Sequence, residues 1–365
     1  MSVCHKIFLC LGRSVCRLRK FLFSGICRKN VCVFKIDGMG DMIVWLPYMH
    51  AIKNWCRSRN CRSVFVVAPH VQELVLRSNC ADVVLVQPYR DSRFEILWFQ
   101  IRFLLRYDIS VVINACHLRN DIADCAFPEK ITAFHHPENP PSPGNWRWKN
   151  SFNTAGTDIF RRYAALLETL KIPLPQLEYD FTGLADPVPG NDLPGSYILF
   201  CTEAGDPRRR WEAEKFALLA DLLIERFNEN IVLAGQEPAS SAMVIRRSKY
   251  PGRIIDLCGK TSLSQLITLV LDSNFVVSNE TGTAHIAALS GKKTFIICGY
   301  GDAGSFVPYP HPLEGKSVFS IFSDRKCSPC RWKNSECTQK KVFTCVSEIT
   351  LQKVFDCIVM NTDGV

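Results

Sequence analysis

Three short stretches of the sequence bring together residues that could do chemistry. The first is Asp37-Gly-Met-Gly-Asp41, which follows an apolar run and leads straight into a helical pattern. A carboxylate there, beside glycines that let a ligand approach closely, can take a proton from an acceptor hydroxyl as it attacks an activated carbon. Asp41 can equally be only a helix N-cap, and one residue can do both. The second is Asp206-Pro-Arg-Arg-Arg-Trp211, three arginines at the end of another apolar run. Guanidinium forks match the paired oxygens of a diphosphate, and the alternative is a solvated basic turn, against which the adjacent Trp211 argues. The third is Phe275 to Gly291, an apolar strand, a polar turn and a small-residue helix. Asn279 and Glu280 fall at the strand's carboxyl end, where open α/β folds place ligands. Thr281 and Gly282 open a helix whose free N–H groups suit a phosphate. Glu280 and Thr281 as helix caps, with His285 a satisfied core histidine, is the plainer reading of the same residues.

The elements that would carry these stretches alternate between strand and helix from Val31 onward, which predicts parallel sheets with crossover helices. In the first half the strands are Val31 to Ile36, Val64 to Val67, Val83 to Val86 and Ser110 to Ile113. Helices run from Met42 to Trp55 and from about Thr157 to Leu170. His135 to Ser151, rich in proline and tryptophan, reads as a long loop. Pro173, Pro175, Pro187, Pro189 and Pro194 mark an extended connection. The second half restarts with strand Tyr197 to Cys201, helix Glu212 to Phe227, and strands Ile231 to Ala234 and Ile254 to Leu257. A helix opens on Ser262-Leu-Ser-Gln265, a capping-box pattern. The third stretch follows, then Thr294 to Cys298 as the last strand and a terminal helix from Ser347 to Val359 capped by Ser347. The expected organisation is a basic segment 1–30, a Rossmann-like domain 31–185, a second Rossmann-like domain 186–346 and a terminal helix 347–365. The fold class is α/β, two Rossmann-like halves facing a central cleft. A dinucleotide oxidoreductase is disfavoured, because G-x-G-x-x-G starting at Gly38 needs glycine where Ile43 stands.

Among 365 residues, the formal net charge of +9 is compatible with anionic substrates, an anionic membrane surface or nucleic acid, and does not choose among them. Ile7, Leu11, Val15, Leu18 and Leu22 share one helical face and Lys6, Arg13, Arg17 and Lys20 the other. That is the pattern of a basic amphipathic helix on an anionic membrane, or of a helix packed on its own domain. No apolar run reaches transmembrane length, and Arg13 and Arg17 interrupt the patches a signal peptide would need. The eighteen cysteines mostly stand singly in apolar elements, as Cys32, Cys201, Cys258 and Cys298 do, which fits a reducing, cytoplasmic compartment. Cys327, Cys330, Cys337 and Cys345 differ: four thiols this close can hold structural zinc, or be free or disulfide-linked. Trp146, Arg147, Trp148 and Lys149 alternate aromatic and basic groups. Such a run can stack on sugar rings and bind phosphates of an anionic glycolipid, bind single-stranded nucleic acid, or serve as a core anchor.

Taken in order, the motifs resemble glycosyltransferase family 9, the heptosyltransferase family of lipopolysaccharide assembly, over nearly the whole chain from Val31. The likeness rests on Gly-Met-Gly-Asp41 with Pro47 in the next helix, Arg209-Arg210-Trp211, and Ile231 to Gly235 with Gln236 and Glu237. Gly259-Lys-Thr-Ser-Leu263 and Asn279-Glu-Thr-Gly-Thr-Ala-His285 complete it. The resemblance implies a GT-B fold and inverting, metal-independent transfer from a nucleotide-sugar donor, typically ADP-heptose, to a lipid-linked glycan at the inner membrane's cytoplasmic face. No cofactor is then required, and no nucleic-acid partner is expected. Asp41 would be the general base, with Gly40 beside it on the acceptor side. Arg209 and Arg210 would neutralise the diphosphate, and Gln236 or Glu237 would meet the ribose. Glu280, Thr281, Gly282, Thr283 and His285 would line the donor pocket. Glu280 stands where the best-known heptosyltransferases have aspartate, which leaves the donor sugar open. A transferase using a UDP- or GDP-hexose and a non-catalytic sugar-nucleotide-binding protein are the alternatives.

Overall fold

The computed structural model describes residues 29–87, 99, 103, 106–107, 109–116, 130–135, 148–153, 158–188, 193–301, 303–325 and 342–362, with 130–135 and 148–153 described by their backbone. The chain divides into two compact units, 1–176 and 177–365. The segment after the division belongs to the second unit because Tyr179 N donates to Leu289 O at 2.7 Å and Asp186 N to Ser264 O at 3.2 Å.

The first unit runs β1 (Asn30–Lys35), α1 (Met39–Ser58), β2 (Arg62–Val67), α2 (Gln72–Arg77), β3 (Val83–Val86), β4 (Ile109–Asn114), β5 (Lys130–His135), β6 (Trp148–Asn153) and α3 (Ile159–Thr169). Its sheet has the order β3-β2-β1-β4-β5-β6, and the pairings are parallel. β1 is buried along its whole length, which explains the apolar run Val31 to Phe34 between its polar ends Asn30 and Lys35: a parallel strand covered on both faces has no solvent side. Trp45 of α1 packs on Tyr163 of α3 with ring centroids 4.3 Å apart, fixing the two helices that flank the end of β1.

The second unit runs β7 (Tyr197–Cys201), α4 (Ala213–Phe227), β8 (Asn230–Leu233), α5 (Pro238–Arg247), β9 (Ile254–Asp256), α6 (Leu263–Asp272), β10 (Phe275–Asn279), α7 (Gly282–Leu289), β11 (Thr294–Ile297), β12 (Val318–Ile321), α8 (Thr344–Ser347) and α9 (Leu351–Thr362). Its order, β12-β11-β10-β7-β8-β9, is again parallel. Both sheets therefore follow the doubly wound scheme, with strand order reversing beside the first strand: between β1 and β4 in one unit, between β7 and β10 in the other. At such a switch point the connections leave in opposite directions and open a crevice at the strands' carboxyl ends.

Most expected elements are present within a few residues. The capping box forms as written: Ser262 Oγ accepts from Gln265 N at 3.2 Å, and Ser262 N donates to Gln265 Oε1 at 2.9 Å. Three expectations are corrected. The passage from His135 to Ser151 is not all loop, because β5 ends at His135 and β6 begins at Trp148. β12 follows the strand expected to be last, its polar Ser320 and half-buried Phe319 reflecting an edge position. The terminal helix begins at Leu351. Ser347 closes the short α8 instead, and Thr350 Oγ1 accepts from Lys353 N at 3.2 Å at the start of α9. Among the described residues no helix is long and apolar enough to cross a membrane. The 1–30 segment proposed for a membrane surface lies almost wholly outside the described residues.

Candidate active site

In the first unit the β1/β4 switch point is occupied by charge. Lys35, the last residue of β1, is fully buried, and its Nζ lies 2.5 Å from Asp37 Oδ2 and 3.7 Å from Asp41 Oδ1. The same ammonium sits 5.2 Å from the centroid of the Tyr163 ring and 3.4 Å from the Ala115 carbonyl just past β4. Burial alone would lower the Lys35 pKa, but Asp37, Tyr163 and Asp41 outweigh it, and the ammonium is held well above the ordinary lysine value. Asp41 is not the N-cap of α1. That position is Gly38, which has no side chain to cap with, so the helix starts two residues before Asp41 and leaves the carboxylate in the first turn. There it benefits from the helix dipole and stays partly open to solvent.

In the second unit the β7/β10 switch point is tied together by Asn279. This buried amide donates to Thr202 O at 2.7 Å, just past β7, and accepts from Trp211 N at 2.9 Å. Trp211 is fully buried, and its indole donates to Ile349 O at 2.9 Å, so the arginine turn is anchored and not merely solvated. Asp206 caps that turn and pairs with Arg208, which lowers the Asp206 pKa. Arg209 forms an ion pair with Glu280 Oε2. Glu280 Oε1 faces His285 Nε2 at 3.1 Å, and His285 Nδ1 faces the Tyr309 hydroxyl at 2.6 Å. Tyr309 is buried, and burial together with the Glu280 charge pushes its pKa up, so it remains a phenol able to donate.

Two helices start at carboxyl ends of strands beside this crevice, and their N-termini differ. The start of α5 is filled from within, because Glu203 accepts from Gln236 N at 2.8 Å and from Glu237 N. Gly235 makes this possible, since a Cβ there would lie 2.8 to 3.0 Å from the Glu203 carboxyl group. The start of α7 has Thr281 at its N-cap without a side-chain capping bond. A fixed positive dipole, backbone donors and an arginine thus share the β10 rim. Groups of these kinds suit phosphate oxygens, although Arg209 is here paired with Glu280.

A family model, glycosyltransferase family 9 (heptosyltransferase), matches residues 152–341. The chain belongs to that family. Lipooligosaccharide heptosyltransferase 2 of Haemophilus ducreyi is 32% identical to this family 9 chain over 125 residues, which are 33% of the chain and 35% of the relative. The matched part is therefore about a third of that curated relative's length. Among solved structures, the family 9 glycosyltransferase from Veillonella parvula aligns with a TM-score of 0.70 at 15% identity, covering 91% of this chain and 96% of that one. E. coli heptosyltransferase WaaC with ADP-2-deoxy-2-fluoro heptose aligns with a TM-score of 0.63 at 18% identity, covering 91% of this chain and 100% of that one. The likenesses show the GT-B fold.

Of the residues singled out in the sequence of this family 9 protein, Asp41 and Gly40 sit in the first turn of α1. Arg209, Glu280 and His285 form one connected network in the second unit. Arg210 turns away from it, donating to Ala204 O at 3.0 and 2.9 Å and to Glu237 Oε2 at 2.7 Å. That hydrogen bond lowers the Glu237 pKa. Gln236 and Glu237 present their backbone N–H groups to Glu203. His285 is a buried histidine with both ring nitrogens engaged, as the plainer reading had it, yet one of its partners is Glu280. Trp146 and Arg147 lie outside the described residues, as do Cys327, Cys330 and Cys337, while Trp148 and Lys149 fall in β6. Cys345 is buried and its Sγ accepts from Tyr300 N at 3.3 Å. Among the described residues no group of three or more His, Cys, Asp or Glu is arranged to hold a metal ion. Sequence reasoning missed Lys35, Tyr163, Glu203 and Tyr309. A lysine inside the apolar run Val31 to Ile36 was the available signal for the first; the others act through partners distant in sequence.

Proposed function

We propose that this family 9 protein is an inverting glycosyltransferase that moves a heptose from ADP-heptose to a lipooligosaccharide core or related lipid-linked glycan. The observation that carries this reading is the β10 rim, where Arg209, the start of α7 and the Glu280–His285 pair meet at the switch point of the second sheet. A leaving nucleoside diphosphate gains negative charge in the transition state, and preorganised arginine and helix N–H groups compensate it there, so the chemistry needs no metal ion. Thr281, Gly282 and Thr283 would offer backbone donors to the phosphates. Arg210 and Glu237, locked to each other, would border the ribose. Asp41 would remove the acceptor hydroxyl's proton as that oxygen bonds to the anomeric carbon and the bond to the diphosphate breaks. A single displacement of this kind inverts the anomeric centre. The heptose assignment is supported by the names of the Haemophilus and E. coli proteins, both heptosyltransferases. The amphipathic pattern of residues 7–22 supports work at an anionic membrane surface, and the singly placed cysteines support the cytoplasmic side.

Two measurements test the reading. Asp41→Ala should abolish transfer and leave ADP binding within a few-fold; loss of both together would assign Asp41 a folding role. Thermal unfolding with ADP, UDP and GDP in parallel should show stabilisation by ADP. Stabilisation by UDP or GDP alone would move the donor to a hexose nucleotide, and stabilisation by none would remove the transferase reading.

A further inference from the structure

We infer that Lys35 is a positioning residue that keeps Asp41 ionised and aimed, with Asp37 as the brace that limits how strongly it does so. The inference rests on Asp41 being the base, and deepens that assignment.

The three charges are shared unequally. Asp37 holds the ammonium at 2.5 Å, whereas Asp41 stands off at 3.7 Å and is the more exposed carboxylate, 23% against 14%. The closer carboxylate neutralises most of the lysine, and the farther one feels the remainder. An ammonium alone beside Asp41 would favour the carboxylate and make it a poorer proton acceptor; two carboxylates alone would repel and favour protonation of one. One cation shared between two anions favours the charged form of Asp41 less than an undivided ammonium would, which leaves it more able to take a proton as general-base catalysis needs. During transfer the acceptor's proton goes to Asp41 and Lys35 stays protonated throughout. The cluster passes from one net negative charge to neutral.

The groups facing the cluster come from each neighbouring element: Lys35 from β1, Asp37 from the turn, Tyr163 from α3, and Cys116 past β4, whose Sγ accepts from Ile36 N at 3.0 Å. Burial holds Tyr163 as a neutral phenol and its ring lies against the ammonium, so it favours the cation without bringing a third anion to the cluster. A fold that needed only volume at this strand end would be served at least as well by an apolar residue, because a buried ion pair seldom adds net stability over one.

The test sets two neutralising variants against each other. In full-length protein carrying 13C-labelled aspartate carboxyls, with the Asp41 signal assigned by D41N, the Asp41 titration midpoint is read in wild type, Lys35→Met and Asp37→Asn. The midpoint should rise by about one pH unit or more in K35M, which removes the cation and leaves the Asp37 anion, and fall in D37N, which frees the lysine for Asp41. The acid limb of the pH–rate profile for transfer from ADP-heptose to a lipooligosaccharide acceptor should move in the same two directions. Midpoints that stay put in both variants, or move the same way in both, overturn the proposal. If K35M does not fold, D37N with the charge-conserving K35R decides: a fall in D37N and little change in K35R support it, and an unmoved D37N overturns it. A wild-type protein that transfers nothing would sink the donor and acceptor assignment, while the carboxyl titration still decides the triad.

Discussion

Arg209 is bound to Glu280, although the two are separated by 71 residues of chain, one following β7 and the other following β10. The pair spans the switch point of the second sheet and places an anion where a donor's diphosphate would need a cation. A bound diphosphate and Glu280 would then compete for the same guanidinium. Glu280→Gln should tighten binding of ADP, which lacks the sugar that Glu280 itself could contact, by several-fold, and Arg209→Ala should weaken it by about tenfold or more, ~1.4 kcal/mol. Isothermal titration at fixed salt reads both. Weaker ADP binding in E280Q would mean that Glu280 holds Arg209 in its binding geometry and does not compete for it.

Tyr309 reaches the same network from the loop between β11 and β12. A carboxylate at His285 Nε2 favours a proton on that nitrogen, and Nδ1 would then accept from the Tyr309 hydroxyl. Tyr309→Phe takes the donor away and leaves a buried acceptor, at a cost of about 1–3 kcal/mol in urea unfolding. Nitrogen-15 shifts of the His285 ring should show the Nε2-protonated tautomer in wild type and tautomer exchange in Y309F. An unchanged ring spectrum would show that Glu280 alone orients the histidine.

Glu203 and Gly235 make a second mutually dependent pair. Gly235→Ala would push the Glu203 carboxylate off the N–H groups of Gln236 and Glu237, because the glutamate's end is the part free to yield. The loss should be about 0.5–2 kcal/mol, as for a lost helix cap and in the same range as Glu203→Ala, and the double variant should cost little more than either alone. Additive losses in chemical denaturation would show that the alanine methyl is resisted by something other than Glu203.

How much of this was legible beforehand follows from the range of each interaction. β1, β7 and β10 announce themselves as short apolar runs, and Ser262 with Gln265 announces the start of α6, because these signals are local in sequence. β12 was missed because an edge strand buries less and carries Ser320 within its four residues. Asp41 was visible, but its environment was not. Which carboxylate holds Lys35, and that Tyr163 packs against it from α3, depend on contacts closed by the fold. The same holds for Arg210, adjacent to Arg209 and of the same type, yet turned to Ala204 and Glu237 by bonds no spacing rule predicts. Trp211 alone hinted that the arginine turn was anchored, since a buried indole fixes the backbone on either side of it.

Buried thiols give the fold a pH limit on the alkaline side. Burial pushes Cys258 up to about 12 and raises Cys32 and Cys201 well above the ordinary thiol value. In the unfolded chain these groups lose their protons near pH 8.5. Between that pH and their folded values the native state binds more protons than the unfolded one, so stability falls as pH rises. The contribution is fully present below about pH 8.5 and is lost progressively above it. Urea midpoints measured under reducing conditions should therefore decline from about pH 8.5 upward. Cys201→Ala with Cys258→Ser should start from a lower midpoint, owing to lost packing, and decline less steeply. An identical slope in wild type and the double variant would assign the alkaline loss to other groups, the buried tyrosines first among them, since burial also raises Tyr197 and Tyr309.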